Sequence, residues 1–248
     1  MTDTTRPHRT PIAGTLLAAA LLFFVTSTSA RAQAPDEPGL FLDLHAGVQT
    51  SMRAVDTSTS FLLYGETGGI ATRQQPGTAG MFDVRVGYRV TRLFGAAFSL
   101  SGSESSYTGE VAASIPSPLF VNRPAAVSEK TEQLTRRELG YHLQALVFVP
   151  VNEQLQLTLS AGPSIVHVQQ PVIDASVPAG TQSVALATRN NTDYVPAVRV
   201  GADAVIAITP RFGLGGFVAY TAGKKDFTDV ANVQVRSLQA GAGLRIHF

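Results

Sequence analysis

The side chains able to do proton, metal or nucleophilic chemistry in this sequence are few, and their spacing argues against each. Beyond residue 32 four histidines remain: His45 is followed by Ala46-Gly47, His142 by Leu143-Gln144, His167 by Val168-Gln169, and His247 is the penultimate residue. None has a serine two positions on, the local arrangement in which a histidine activates a neighbouring hydroxyl. None stands at metal-ligand spacing, and the absence of cysteine removes disulfides, thiolate metal sites and thiol nucleophiles together. No catalytic, cofactor-binding or metal-binding residue is assigned, and the lone histidines are read as hydrogen-bonded interior residues. What remains is electrostatic. Asp43, Asp83, Glu138 and Asp203 face Arg85, Arg89, Arg199 and Arg245, each at the polar parity of a segment whose other parity is apolar. A buried charge left unpaired costs several kcal/mol, so these four acids and four bases are expected to form a closed ion-pair network, with Asp43 and Arg245 its best single pair.

Holding such a network requires strands. Segments of about ten residues with alternating polarity are read near 39–49, 80–90, 93–103, 137–149, 155–167, 194–208, 211–222 and 232–248. In the second of these, Phe82, Val84, Val86, Tyr88 and Val90 share one parity; Asp83, Arg85, Gly87 and Arg89 share the other. The same rule sets Leu40, Leu42, Leu44, Ala46 and Val48 against Asp43 and His45, and Val198, Val200, Ala202, Ala204 and Ile206 against Arg199 and Asp203. The connections are unequal in a regular way. The second, fourth and sixth are short (Thr91-Arg92, Pro150 to Gln154, Thr209-Pro210), and the others are longer. Tight turns alternating with extended loops is the layout of an outer-membrane barrel. Exposing Lys or Arg to the bilayer midplane costs roughly 2–4 kcal/mol, so the apolar parity is assigned to lipid and the charged parity to the lumen. An eight-stranded lumen is filled by its own side chains.

Composition agrees with this class. Of 248 residues 44% are hydrophobic and only 15% charged, against about 25% charged in an ordinary soluble domain. The N-terminus carries Arg6, His8 and Arg9, then an apolar run from Ile12 to Val25, then Ala30-Arg31-Ala32. This is the order of a cleavable export signal, so residues 1–32 are read as a signal peptide cut before Gln33 and residues 33–248 as the barrel domain. Without residues 1–32 there remain 16 basic and 17 acidic residues. That balance excludes the concentrated basic face that nucleic-acid binding requires.

The chain stops on Gly243-Leu244-Arg245-Ile246-His247-Phe248, which resembles the terminal assembly signal of bacterial outer-membrane barrels at Gly243, Leu244, Ile246 and Phe248. With its eight strands the mature chain resembles, over nearly its full length, the small outer-membrane barrels typified by the OmpA transmembrane domain and the opacity-type adhesins. The resemblance implies an all-β, eight-stranded antiparallel up-and-down transmembrane barrel in a Gram-negative outer membrane, delivered by the barrel-assembly machinery, with no cofactor. No further domain is expected after the barrel. Outer-membrane lipid and lipopolysaccharide are the expected surroundings, with Arg136, Arg137, Lys224 and Lys225 near the external rim. Tyr88, Phe94, Phe212 and Phe248 are expected to form the aromatic girdle on the turn side, and Tyr194 and Tyr220 a sparser external one. The expected role is non-enzymatic, structural or surface-interacting. A narrow or gated porin is the alternative and a lipid A-modifying enzyme the second alternative. Surface contact would fall to the loops at 50–79 and 104–136, where the apolar run Phe61 to Tyr64 is read as extending a hairpin that packs against the second loop.

Overall fold

The computed structural model describes residues 38–51, 55–75, 77–120, 122–178, 181, 183–225 and 233–248. The expected signal peptide over 1–32 lies outside the described residues. Ten strands form: β1 (Gly39–Ser51), β2 (Val55–Leu63), β3 (Glu66–Gln74), β4 (Thr78–Arg89), β5 (Phe94–Ile115), β6 (Ala125–Pro150), β7 (Leu155–Ser176), β8 (Ala185–Ala207), β9 (Phe212–Lys225) and β10 (Val233–His247). Eight of them close a ring, β1-β4-β5-β6-β7-β8-β9-β10, every pair antiparallel, with β10 returning to β1 so that Asp43 lies opposite Arg245. The fold class expected from the sequence is the one the chain adopts.

Polar caps hold the tight turns. The Thr91 hydroxyl accepts from the Phe94 amide, the Asn152 side chain accepts from the amides of Gln154 and Leu155, and the Thr209 hydroxyl accepts from the Phe212 amide. Side chains of this kind mimic a backbone turn and fix its conformation locally.

On the opposite end the segments read as loops are largely strands. The pairing of β4 with β5 ends at Gly80 and Glu104, and β3 then takes over the free edge of β5, from Gln74 opposite Gly109 to Gly69 opposite Ser114. β5 and β6 stay paired up to Ile115 and Ala125. The run at 61–64 closes the β2–β3 hairpin through a two-residue turn, with Tyr64 at φ 54° and Gly65 at φ 78°. Two central residues at positive φ is the geometry favoured in tight hairpins. β6 and β7 part company above Arg137 and Gln169, whereas β7 and β8 continue to Ser176 and Ala185. The extension therefore has two leaves, a four-stranded one (β2-β3-β5-β6) and a two-stranded one (β7-β8). An apolar core joins them: Ile70, Tyr107, Val111, Ala113, Ile115 and Leu134 from the first pack with Ile173 and Val184 from the second or its turn. Phe61 and Leu63 pack against this core while Leu62 and Tyr64 point to solvent. Burying side chains of this size contributes about 1.5–3 kcal/mol each, enough to make the extension a structured body.

Candidate functional site

The ring is polar inside and apolar outside. Phe98, Leu143 and Val198 are 50%, 60% and 57% exposed, whereas Asp43, Asp83 and Arg199 are each 0% exposed. A soluble barrel has the reverse arrangement. A closed ring leaves no unpaired strand edge for lipid to meet, which is why closed barrels can cross a membrane. Tyr88, Phe94, Phe212 and Phe248 all stand exposed on the outer face at the turn end, and Tyr194 is exposed near the other, the positions of the two aromatic girdles.

Inside, a continuous chain of charged side chains crosses the lumen. Arg245 donates from Nε to Asp43 Oδ1 at 2.6 Å and from Nη2 to Oδ2 at 2.8 Å, a bidentate pair across the closure of the ring. Arg85 reaches from β4 to donate to Asp203 on β8 at 2.8 Å, with Asp43 at 3.4 Å. Arg199 makes the opposite crossing, its Nη2 lying 3.1 Å from Asp83 on β4. His45 sits between the two crossings, Nδ1 at 3.3 Å from Asp83 and Nε2 at 3.7 Å from Asp203. Bidentate guanidinium–carboxylate geometry adds orientation as well as attraction, so the plug has a fixed arrangement of side chains. Gly243 permits it locally, because a Cβ there would lie 2.0 Å from the His45 ring.

Above this layer Glu138 accepts from Gln49 at 2.6 Å and from Arg136 at 2.7 Å, and Arg136 also donates to Gln170 at 2.8 Å. Arg136, expected at the external rim, therefore turns inward; it shares the parity of Glu138 along β6. Arg137, of the other parity, faces out and donates to Glu104 at 2.8 Å. Toward the turn end the guanidinium of Arg89 lies 4.1 Å from the centroid of Phe148, and that of Arg245 lies 4.8 Å from Phe41. The two rings meet edge to face at 5.9 Å. This aromatic floor had a legible signal, since Phe41 and Phe148 occupy the inward parity of their strands.

The histidines divide. His45 and His142 are buried in the lumen, but His167 faces outward and stacks on Tyr194 at 4.7 Å, contrary to the expectation that all are interior. The register of β7 explains it: odd positions up to Gln169 are the outward ones. A Ser–His contact does form, but between strands. Ser101 Oγ lies 2.8 Å from His142 Nε2, and Arg199 Nη1 donates to that same nitrogen at 2.8 Å. A guanidinium cannot accept, so Nε2 is the acceptor and Nδ1 carries the proton given to Ser164 Oγ at 2.7 Å. Local sequence spacing could not reveal this cluster. Among the described residues no group of histidine and carboxylate side chains is arranged to hold a metal ion.

Outside the membrane belt, Lys225 donates to Asp193 at 2.6 Å, which holds the Asp193 carboxyl below the usual carboxylate range. Tyr107, buried in the external core, donates to Gln74 at 3.3 Å, and burial pushes its hydroxyl pKa up.

No protein-family model matches this sequence, and no curated protein is significantly similar to it. Solved structures are similar in fold. Neisserial surface protein A matches at 16% identity and TM-score 0.49, covering 85% of this chain and 97% of that one. The N-terminal β-barrel domain of Pseudomonas aeruginosa OprF matches at 11% identity and TM-score 0.40, covering 86% and 100%. Ail, the attachment invasion locus protein of Yersinia pestis, matches at 13% identity and TM-score 0.39, covering 85% and 100%. On its own geometry, with a closed eight-stranded ring, a charged interior and an apolar girdled exterior, this chain is a transmembrane β-barrel of the outer-membrane type.

Proposed function

We propose that this protein is a non-enzymatic integral barrel of a Gram-negative outer membrane, with a lumen closed by its own ion pairs and an external sheet that meets other molecules. The observation that carries the reading is the double crossing of the lumen by Arg85 to Asp203 and Arg199 to Asp83, all four side chains at most 2% exposed. Both signs are interleaved there, whereas a selective pore more often carries a ring of one sign. The Ser101–His142 contact does not make an enzyme. The imidazole lone pair that a general base needs is shared with Arg199, and the cluster is shut away from lipid and water alike. The surface role belongs to the extension, because its own core holds β2–β3 and the β5–β6 hairpin well beyond the membrane belt.

A specific observation favours the second reading, a narrow or gated passage for small solutes. The wall opposite the arginine crossings carries Ser99, Gln144 and Ser160, whose buried polar ends have no hydrogen-bond partner among the described residues, so a displaced plug would leave a hydroxyl- and amide-lined path. Single-channel recording separates the two. The first reading predicts no large stable conductance from the wild type; a steady open level would overturn it. Gly243, Leu244, Ile246 and Phe248 are proposed as the assembly signal, and deleting Phe248 is expected to reduce the heat-modifiable barrel in outer-membrane fractions.

A further inference from the structure

Two clefts lie one above the other on the outer surface, where β6 and β7 separate, and they share Arg137 and Gln169. Their volumes, about 680 and 480 Å³, fall within the ~300–1,000 Å³ usual for small-molecule sites. The lower cleft opens toward lipid. Its floor is smooth because the Phe82 ring lies over Gly102, where a Cβ would come within 2.4 Å of it, and because Gly80 has nothing within 4 Å of its would-be Cβ. Leu139 forms a further side, and Glu104, Glu138, His167 and Gln169 complete a lining that is otherwise largely apolar. The upper cleft is lined by Gln133, Thr135, Thr188, Asn190 and Thr192. None of these amide or hydroxyl side chains has a hydrogen-bond partner among the described residues, and none carries a charge. Between the two stands the guanidinium of Arg137, steered by Glu104 through Nε alone among the described residues.

We propose that this pair of clefts is a binding site for one phosphorylated glycolipid of the outer leaflet. The vertical order of chemistry matches such a molecule and no simpler one: an apolar trough for an acyl chain, a cation at the level of the phosphate, then neutral donors and acceptors for sugar hydroxyls. Arg137 offers its terminal nitrogens to the phosphate, the geometry in which guanidinium groups bind phosphate best. A phospholipid would fill the lower cleft and leave the upper one unused. A sulfated or otherwise polyanionic sugar would find only one cation, Arg137, among the described residues that line the clefts. Pro171, at the edge of the upper cleft, lacks the N–H that an added peptide strand would need. The inference rests on the outer-membrane reading above.

The test uses the full chain in phosphatidylcholine nanodiscs, titrated with fluorescent lipopolysaccharide that carries core sugars, with lipid A lacking those sugars, and with phosphatidylglycerol as competitor. Saturable binding of the lipopolysaccharide is expected. Arg137→Gln should weaken it roughly tenfold by removing a charge-assisted contact. Gly80→Leu should weaken it by a similar factor, since its Cβ meets open space and the added side chain occupies the trough. The pair Thr188→Ala and Asn190→Ala should weaken the sugar-bearing lipid roughly threefold and leave lipid A unchanged. Equal competition by phosphatidylglycerol, or affinities unchanged in both Arg137→Gln and Gly80→Leu, would overturn the proposal. Heat-modifiability on a gel is read in parallel. A heat-modifiable barrel that retains no glycolipid defeats this inference alone; a chain that never becomes heat-modifiable defeats the membrane reading and this inference with it.

Discussion

The ring and the extension above it are built from the same strands under opposite rules, and β5 shows the change within a single element. Up to Ser105 its inward positions are Ala97, Ser99, Ser101, Ser103 and Ser105, and its outward ones include Phe94, Phe98 and Leu100. Beyond that point the inward positions become Tyr107, Val111, Ala113 and Ile115, while the outward ones, polar already at Glu104, become Ser106, Thr108, Glu110 and Ser114. The backbone continues; only the surrounding medium differs. Where lipid lies outside, apolar groups gain nothing by turning inward and charges must. Where water lies outside, the ordinary hydrophobic effect returns. A strand can therefore keep its alternation and exchange the meaning of its two faces at the level where the membrane ends.

The most disruptive break is expected inside the ring. Asp83→Ala leaves Arg199 buried beside His142 without its carboxylate. Breaking a buried pair from one side costs about 3–5 kcal/mol, measurable as a lower urea midpoint for the heat-modifiable form. In the extension the corresponding test is Ile115→Ala, at a side chain 0% exposed. It should cost about 2–5 kcal/mol, read as faster proteolysis and hydrogen exchange of β2, β3 and upper β5, with the ring still heat-modifiable. The comparison is sharpest on one face of one strand. Phe98→Arg places a charge on the lipid face at about 2–4 kcal/mol, whereas Ser106→Arg, at the same parity above the boundary, should stay within about 0.5 kcal/mol. The smallest effects come from pH. Tyr107 has its folded pKa raised by burial, so its contribution is complete below the unfolded value near 10 and is lost as pH rises through the folded value. Asp193 has its pKa lowered by the Lys225 bond, so its small contribution is present above about pH 4 and fades as pH falls through the folded value. Hydrogen exchange should accordingly quicken in the extension at alkaline pH and at the top of β8–β9 in acid, with Tyr107→Phe and Asp193→Asn abolishing the respective responses.

The ring was legible in the sequence because its charges sit at one parity of apolar strands and its turns are short. The extension was not, for two physical reasons. Its faces obey the opposite polarity rule, so Glu104 to Ser114 reads as a polar loop when judged by the rule of the ring. A β-bulge then shifts the register between Thr108 and Glu110, where Thr131 Oγ1 accepts from the Gly109 amide at 2.8 Å. The bulge moves the inward parity of β6 from Leu134 to Val127, so no single alternation runs along that strand. Gly109 also makes room for Ile173 of the second leaf, since a Cβ there would lie 2.4 Å from its Cδ1; docking of this kind leaves no periodic signal. Within the lumen, the pairing of Asp43 with Arg245 could be anticipated from their heights on adjacent strands. The crossings between β4 and β8 could not, because they depend on the curvature of the closed ring.

The exchange of faces along β5 can be measured directly, since the chain contains no cysteine and single-cysteine variants are therefore clean. Each position from 96 to 115 would be replaced in turn in vesicle-embedded protein, then probed with a water-soluble thiol reagent and with a bilayer-buried quencher. A membrane ring beneath a water-exposed sheet predicts that positions 96, 98 and 100 meet the quencher and resist the reagent, that 104, 106, 110 and 114 react freely with the reagent, and that 107, 111, 113 and 115 resist both. Equal reaction of 96, 98 and 100 with the water-soluble reagent would contradict the inside-out ring.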